Sequence, residues 1–202
     1  MGCKTLQTSK SRLDLAKEKI KAPLFAPTKK GKKAAGKPKN SFNQQVLNLL
    51  YQKVVEKNGN RPVFKCIFFE KGKVIASDSH ILVIIKMDYP KTYEGKGIDK
   101  EGNVYAGKVY NYNHFNNLPN SDYEFKRIFN YQLNYKQGET PYDDKYMLDG
   151  FRVEKKNIDT AKAIFKKFKV EPNLYLHKTD TLKPIVLKVK DIFMVIMPKY
   201  NG

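Results

Sequence analysis

The sequence predicts an α+β domain in which a helix followed by three antiparallel strands occurs twice. The first observation is a run of apolar residues at helical spacing that begins just after residue 41. The second is a set of three short apolar runs that follow it, joined by two-residue turns. The third is the return of the same order after residue 150. Because the two copies share a pattern and not residue identities, they predict a pseudo-duplicated architecture.

The first predicted helix begins after Ser41, which forms a capping box with Gln44. Its apolar positions recur three and four residues apart, as on one face of a helix. They are Phe42, Val46, Leu49, Leu50 and Val54. Asn58-Gly59 is the expected end of the helix, because both residues favour the left-handed backbone at a C-terminus.

Three strands are predicted after this helix, over Val63 to Phe69, Lys73 to Ser77 and Ile81 to Met87. The turns between them are Lys71-Gly72 and Asp78-Ser79. Connections this short join neighbouring antiparallel strands, so the three runs form a meander.

The second half opens with a short strand in "GFRVEKK", and Asn157 or Asp159 is the expected helix cap. The helix carries a similar apolar face: Ile158, Ala161, Phe165 and Phe168. Its strands are predicted over Asn173 to His177, Pro184 to Val189 and Ile192 to Met197.

The last hairpin, "PIVLKVKDIFMVIMP", is apolar on both faces. Alternation predicts that Ile192, Met194 and Ile196 face one side of the sheet. Phe193, Val195 and Met197 then face the other side. Both sides must therefore be covered, one by the helices and the other by the rest of the fold or by a partner.

Two regions differ in composition from these elements. Residues 1–40 hold 12 Lys or Arg against Asp14 and Glu18, and we expect a disordered or partner-ordered arm. Residues 41–202 form the single folded domain, with an insert at about 90–150 that is rich in Tyr, Asn and Gly. The arm is either a solvated tail or an electrostatic tether that uses Lys29, Lys30, Lys32 and Lys33.

The net charge of +19 predicts a polyanionic partner, nucleic acid above all, although lysine-rich codon usage is the alternative explanation. Of the 39 basic residues only Arg12, Arg61, Arg127 and Arg152 are arginine. Lysine contacts phosphates without the bidentate geometry that reads bases, which favours backbone contact over sequence readout if the partner is nucleic acid.

Several classes of function are disfavoured. The sequence contains no phosphate-binding loop, no metal-binding Cys or His spacing and no nucleophile elbow, so we expect no catalytic residue, metal or cofactor. The apolar runs are too short to cross a bilayer, no signal peptide is evident, and Cys3 and Cys66 predict no disulfide framework. These features favour a reducing cytoplasm and no membrane partner.

Four stretches in order resemble the bacterial sliding clamp, the β subunit of DNA polymerase III. They are "VIASDSHILVIIK", "GKVYNYNHFNNLP", "FRVEKKNIDTAKAIFKKFKVEPNLYL" and "DIFMVIMPKY". The chain departs from the clamp pattern at Ser79, Ile81, Tyr110 and Asn111, and it ends in Lys-Tyr-Asn-Gly where clamps end in Met-Arg-Leu. A clamp chain carries two or three such domains, and six complete a ring, whereas this chain has one domain and a basic arm.

The resemblance implies a DNA-clamp-like domain that forms a homo-oligomeric ring around DNA. The helices would face the phosphates, through Lys162, Lys166 and Lys169 on the second helix and Lys53 and Lys57 on the first. An apolar pocket would grip a partner peptide. By the resemblance, its hairpin side comprises Ser77, Asp78, His80 and Leu82, and its terminal side comprises Val195, Met197 and Pro198.

Two functions follow from the resemblance. One is a non-enzymatic tethering or processivity factor of a phage or mobile element, acting with a replication partner in the bacterial host cytoplasm. The other is a virion ring or assembly protein whose basic arm docks to a structural partner. The order of the motifs favours the first function, and the altered C-terminus and the arm favour the second.

Overall fold

The computed structural model describes residues 41–55, 61–105, 112–127, 134–136 and 145–199. Within these ranges the chain forms two long helices, α1 (Phe42–Lys53) and α2 (Lys155–Phe168), and a large antiparallel sheet. The predicted α+β class is therefore confirmed. The arm 1–40 with Lys29, Lys30, Lys32 and Lys33, together with Lys57 and the predicted helix end at Asn58-Gly59, lies outside the described residues.

Twelve strands belong to the described residues. They are β1 (Cys66–Glu70), β2 (Lys73–Ser77), β3 (Ile81–Lys86), β4 (Lys96–Asp99), β5 (Val104–Tyr105), β6 (Tyr123–Arg127), β7 (Asn134–Lys136), β8 (Lys145–Leu148), β9 (Phe151–Glu154), β10 (Asn173–His177), β11 (Ile185–Val189) and β12 (Ile192–Ile196). Nine of them form one sheet in the order β5-β4-β1-β2-β3-β12-β11-β10-β6, and β7-β8-β9 form a second, three-stranded sheet.

The pairing of β3 with β12 joins the two halves of the chain in one sheet. The meander β1-β2-β3 follows α1, and the meander β10-β11-β12 follows α2. Their last strands pair antiparallel over five residues, from Ile81 opposite Ile196 to Ile85 opposite Ile192. The region between the halves extends the sheet at both ends, with β4 beside β1 and β6 beside β10.

Helix α1 begins where the sequence predicts. The Ser41 hydroxyl accepts a hydrogen bond from the Gln44 backbone N–H at 3.3 Å, which satisfies one of the unpaired donors of the first turn. The Gln44 side-chain amide donates to the Asn48 side chain one turn further on, at 2.9 Å.

Two predicted boundaries are wrong. The first strand begins at Cys66 and not at Val63, because Pro62, which has no N–H to pair, starts a 3₁₀ turn over Pro62–Lys65. Helix α2 begins at Lys155 directly after β9, so neither Asn157 nor Asp159 is its cap. Asn157 instead lies inside the first turn of the helix and is buried.

The sheet packs one core on each face. The larger core contains the buried sides of both helices together with Ile192, Met194 and Ile196. The smaller core, on the opposite face, contains Val195 with Phe193 and Met197 at its edge. The alternation predicted for the last hairpin is therefore confirmed. The second face is covered by the chain itself, through side chains such as Val63, Tyr105, Tyr112 and Phe115.

The smaller core also contains the thiol of Cys66. The side chain is buried, and this burial, with the Asp99 carboxylate adding to it, raises the pKa of the Cys66 thiol to about 12. Because the thiolate is the reactive form of cysteine, the group behaves at neutral pH as a small apolar side chain.

Candidate functional site

The turn between β2 and β3 is held by the buried carboxylate of Asp78. One carboxylate oxygen accepts hydrogen bonds from the backbone N–H groups of His80 and Ile81, both at 2.9 Å. The other oxygen lies 3.2 Å from the ammonium of Lys156, in the first turn of α2. Asp78 therefore connects the turn to α2, and its carboxylate has partners within the domain.

Replacing Asp78 with alanine should destabilise the domain by about 2–4 kcal/mol, because two N–H groups at a part-buried turn would lose their acceptor. Asp78→Asn is the matched control, since its side-chain oxygen still accepts both bonds. It replaces the ion pair with an amide N–H₂ group beside Lys156, but that side chain is 62% exposed and can turn to solvent, so the cost should be near 1 kcal/mol, about the upper limit for an exposed ion pair. Urea unfolding of the two variants measures the difference, and equal losses would contradict this role for Asp78.

The exposed tip of the same turn carries a chain of polar contacts. Ser79 has a positive φ of 76°, and its N–H donates to the Ser77 hydroxyl at 3.1 Å. The Ser79 hydroxyl accepts from the Arg61 guanidinium at 3.2 Å and lies 3.4 Å from Nδ1 of His80. Since the Arg61 guanidinium also lies 4.4 Å above the Phe64 ring, the turn is tied to the 3₁₀ turn before β1.

The end of the chain joins this turn from the other side. Val195 pairs with Leu82 across β12 and β3, and the N–H of Met197 donates to the His80 carbonyl at 2.8 Å. The last strand and the β2–β3 turn, which are more than a hundred residues apart in sequence, thus form one continuous wall.

A cavity of about 230 Å³ opens against this wall, and we call it the hairpin cavity. Five of the seven residues predicted for a partner pocket line it: Ser77, His80, Leu82, Val195 and Met197. Asp78 and Pro198 do not line it. Asp78 turns its carboxylate inward, and Pro198 is buried beyond the end of β12.

Sequence reasoning missed the opposite wall of the hairpin cavity. This wall includes Phe64, Tyr112, His114 and Phe115. The Tyr112 hydroxyl donates to the Glu70 carboxylate at 3.3 Å, and burial, with Glu70 adding to it, raises the pKa of Tyr112 above its ordinary value. For Tyr112, His114 and Phe115 the only signal was the resemblance of "GKVYNYNHFNNLP" to a clamp connection, because the stretch has no helical or strand period.

The outward face of the helices is basic. Lys162 and Lys166 are exposed on α2, and Lys169 follows the helix in the left-handed conformation with φ 54°. Lys53 is exposed at the end of α1. Helix α1 contains no acidic residue, and the only acid of α2, Asp159, lies 2.5 Å from the ammonium of Lys155. Four of the five predicted helix lysines are therefore placed. Lys162, Lys166 and Lys169 lie together on and after α2, whereas Lys53 borders a separate pocket that also contains Asp78 and Asp159.

A shallow groove of about 600 Å³ runs between the two helices on this face. Amides line the α1 side, from Gln45, Asn48 and Gln52, and Lys166, Lys167 and Lys169 line the α2 side. The Lys167 ammonium donates to the Gln45 side chain, which links the helices across the groove. Amide and ammonium donors together suit phosphate oxygens, which accept hydrogen bonds and carry negative charge.

Other kinds of site find no support in the described ranges. No group of three or more His, Cys, Asp or Glu side chains lies close enough there to hold a metal ion. None of the helices in the described part of the chain is long and apolar enough to span a membrane.

Comparison with known proteins shows a similar solved structure but no matching sequence family. No protein-family model and no curated protein matches the chain. Among solved structures, the chain is similar to one described as "Putative DNA polymerase III beta subunit" from Eubacterium rectale ATCC 33656. The TM-score is 0.48 at 9% sequence identity, and the match covers 84% of this chain and 68% of the other. No residue role is carried over from this likeness.

Proposed function

We propose that this chain is a non-enzymatic, clamp-like tethering or processivity factor, which holds double-stranded DNA within a ring of identical copies. The observation that carries the proposal is the placement of both helices on one face of one sheet, with a basic groove on their outward side. The hairpin cavity lies at the opposite face, so DNA and a protein partner would use separate surfaces.

The basic groove suits sequence-independent binding. Its charged groups are lysines, whose mobile ammonium groups contact phosphates without fixing the register of the duplex. Such contacts release counterions, so affinity should fall steeply with salt. A protein that slides needs this property, because contacts that read bases would stop it at particular sequences.

The hairpin cavity suits a short peptide from a replication partner. Its lining includes the apolar side chains Leu82, Val195 and Met197, and Ser77 and His80 add polar groups. The flexible thioether of Met197 can adapt to different side chains. A peptide bound here would leave the helix face free for DNA.

We also propose that the fold is a pseudo-duplicated clamp-like domain. The protein would act in the cytoplasm of a bacterial host that carries a phage or mobile element. Each helix is followed by a three-stranded meander, and the two meanders pair through β3 and β12. A duplication of one half would account for this arrangement.

Removal of residues 1–40 tests the DNA-binding part of the proposal. The described core lies within residues 41–199, and the arm carries 12 of the 39 basic residues. We expect weaker binding to a random-sequence duplex and a shallower dependence of log K on log salt, by about 0.9 for each phosphate that the arm neutralises. Fluorescence anisotropy at several salt concentrations measures both. Equal slopes for the two proteins would show that the arm does not contact DNA.

A further inference from the structure

A second cavity, of about 410 Å³, lies between α2 and the strands β10 and β11, away from the hairpin cavity. We call it the α2 cavity. Its walls are aliphatic and aromatic side chains, most of them buried in the larger core: Ile158, Ala161, Phe165, Leu174, Ile185 and Leu187. Among the described residues that line it, only Lys162 and Lys166 carry a polar side-chain group.

These two lysines lie on the solvent side of the cavity. They are exposed and are four residues apart on α2, so their side chains leave the same face of the helix one turn apart. Lys166 makes no ion pair with any described residue, and Asp159 on the same helix pairs with Lys155. The α2 cavity therefore has an apolar interior and a cationic edge.

Beneath α1, aromatic side chains fill the space against the sheet. Tyr51 of α1 donates its hydroxyl to the Ile98 carbonyl of β4 at 2.7 Å, and the rings of Phe69 and Tyr93 pack 5.2 Å apart. Beneath α2, Ala161, Phe165 and Leu174 line a cavity instead.

We propose that the α2 cavity binds a linear aliphatic carboxylate of medium chain length, with the alkyl chain among the apolar walls and the carboxylate beside Lys166. The volume falls within the range of small-molecule sites, about 300–1,000 Å³. A polar group deep in the cavity would lack a hydrogen-bonding partner among the described residues, so the charged end must remain at the lysine edge. The site is separate from the proposed partner pocket, and its occupation requires neither DNA nor a ring.

Calorimetric titration of the full-length protein with octanoate, decanoate and dodecanoate, below their micelle concentrations and without DNA, tests this site. Each two-carbon extension should tighten binding about tenfold while the added methylenes remain buried. Lys166→Gln should weaken decanoate binding at least fivefold and leave the binding of 1-decanol unchanged. Lys188→Gln, an exposed lysine on β11, is the matched control and should change neither.

Filling the cavity provides a second test. Ala161→Phe should abolish decanoate binding, and circular dichroism with thermal unfolding establishes whether the variant folds. If the variant does not fold, the chain-length series on the wild-type protein is the test of the site. The proposal is overturned if dodecanoate shows no saturable binding, if affinity does not depend on chain length, or if Lys166→Gln weakens the acid and the alcohol equally. Lys166 also belongs to the proposed DNA-binding face, but every titration here is made without DNA, so failure of this site and failure of the proposed function are distinguishable.

Discussion

Replacing Lys162, Lys166 and Lys169 together with glutamine is expected to weaken binding to random-sequence duplex DNA by roughly a hundredfold or more near 0.1 M salt. The three side chains lie at the basic face of α2 in the structure, and two of them line the groove between the helices. If each contacts one phosphate, the slope of log K against log salt should fall by about 2.7, since each contact contributes about 0.9.

The control for this variant removes the same amount of charge elsewhere. Lys183, Lys188 and Lys190 are exposed near the β11–β12 hairpin, and none of them lines the groove between the helices. Their triple replacement with glutamine should leave the salt slope nearly unchanged. If both triple variants lose the same affinity, binding reflects net charge alone and the helix face has no special role.

The second large effect is a difference between replacing Met194 and replacing Met197, which lie in the same terminal stretch. Met194 is fully buried against the helices, and its replacement with alanine should cost about 2–5 kcal/mol of unfolding free energy. Met197 is only partly buried at the edge of the smaller core, and His80 is exposed. The double variant Met197→Ala with His80→Ala should therefore unfold close to the wild type while losing affinity for a partner peptide.

A short peptide selected against the wild-type protein from a random display library serves as the probe. The double variant should bind it at least about 30-fold more weakly, as expected for side chains that contribute about 2 kcal/mol at the centre of an interface. Met194→Ala, assayed at a temperature where it remains folded, should bind it normally. If the double variant unfolds as readily as Met194→Ala and no peptide is ever selected, the hairpin cavity is only part of the core.

The sequence predicted the elements that depend on local pattern. The two faces of the last strand were assigned correctly because side chains alternate along any strand, so the faces follow once the strand is placed after the turn at Asp191. The start of α1 was correct because Ser41 caps it through a contact three residues away. The start of α2 was wrong because β9 leads into it without a side-chain cap, so no local signal marks the boundary.

The candidate site was predicted only on one side. Leu82 and Val195 were chosen from the resemblance to the clamp, and the structure pairs them across β3 and β12. Tyr112 and Phe115 reach the hairpin cavity from the 3₁₀ turn Asn113–Phe115 and the residue before it. Phe64 reaches the cavity from another 3₁₀ turn, where the sequence predicted a strand. Such contacts depend on tertiary packing between distant segments, which hydrophobic periodicity does not encode.

The mass of the full-length protein in solution tests the ring most directly. Light scattering after size exclusion, over a range of concentrations and with a short DNA duplex present or absent, distinguishes the states. The proposed ring contains six copies of this 23.4 kDa chain, so the proposal predicts a closed assembly of about 140 kDa. A protein that remains at 23.4 kDa up to about 0.1 mM, and that DNA does not assemble, would contradict the ring and favour a component that assembles only with other proteins of a virion.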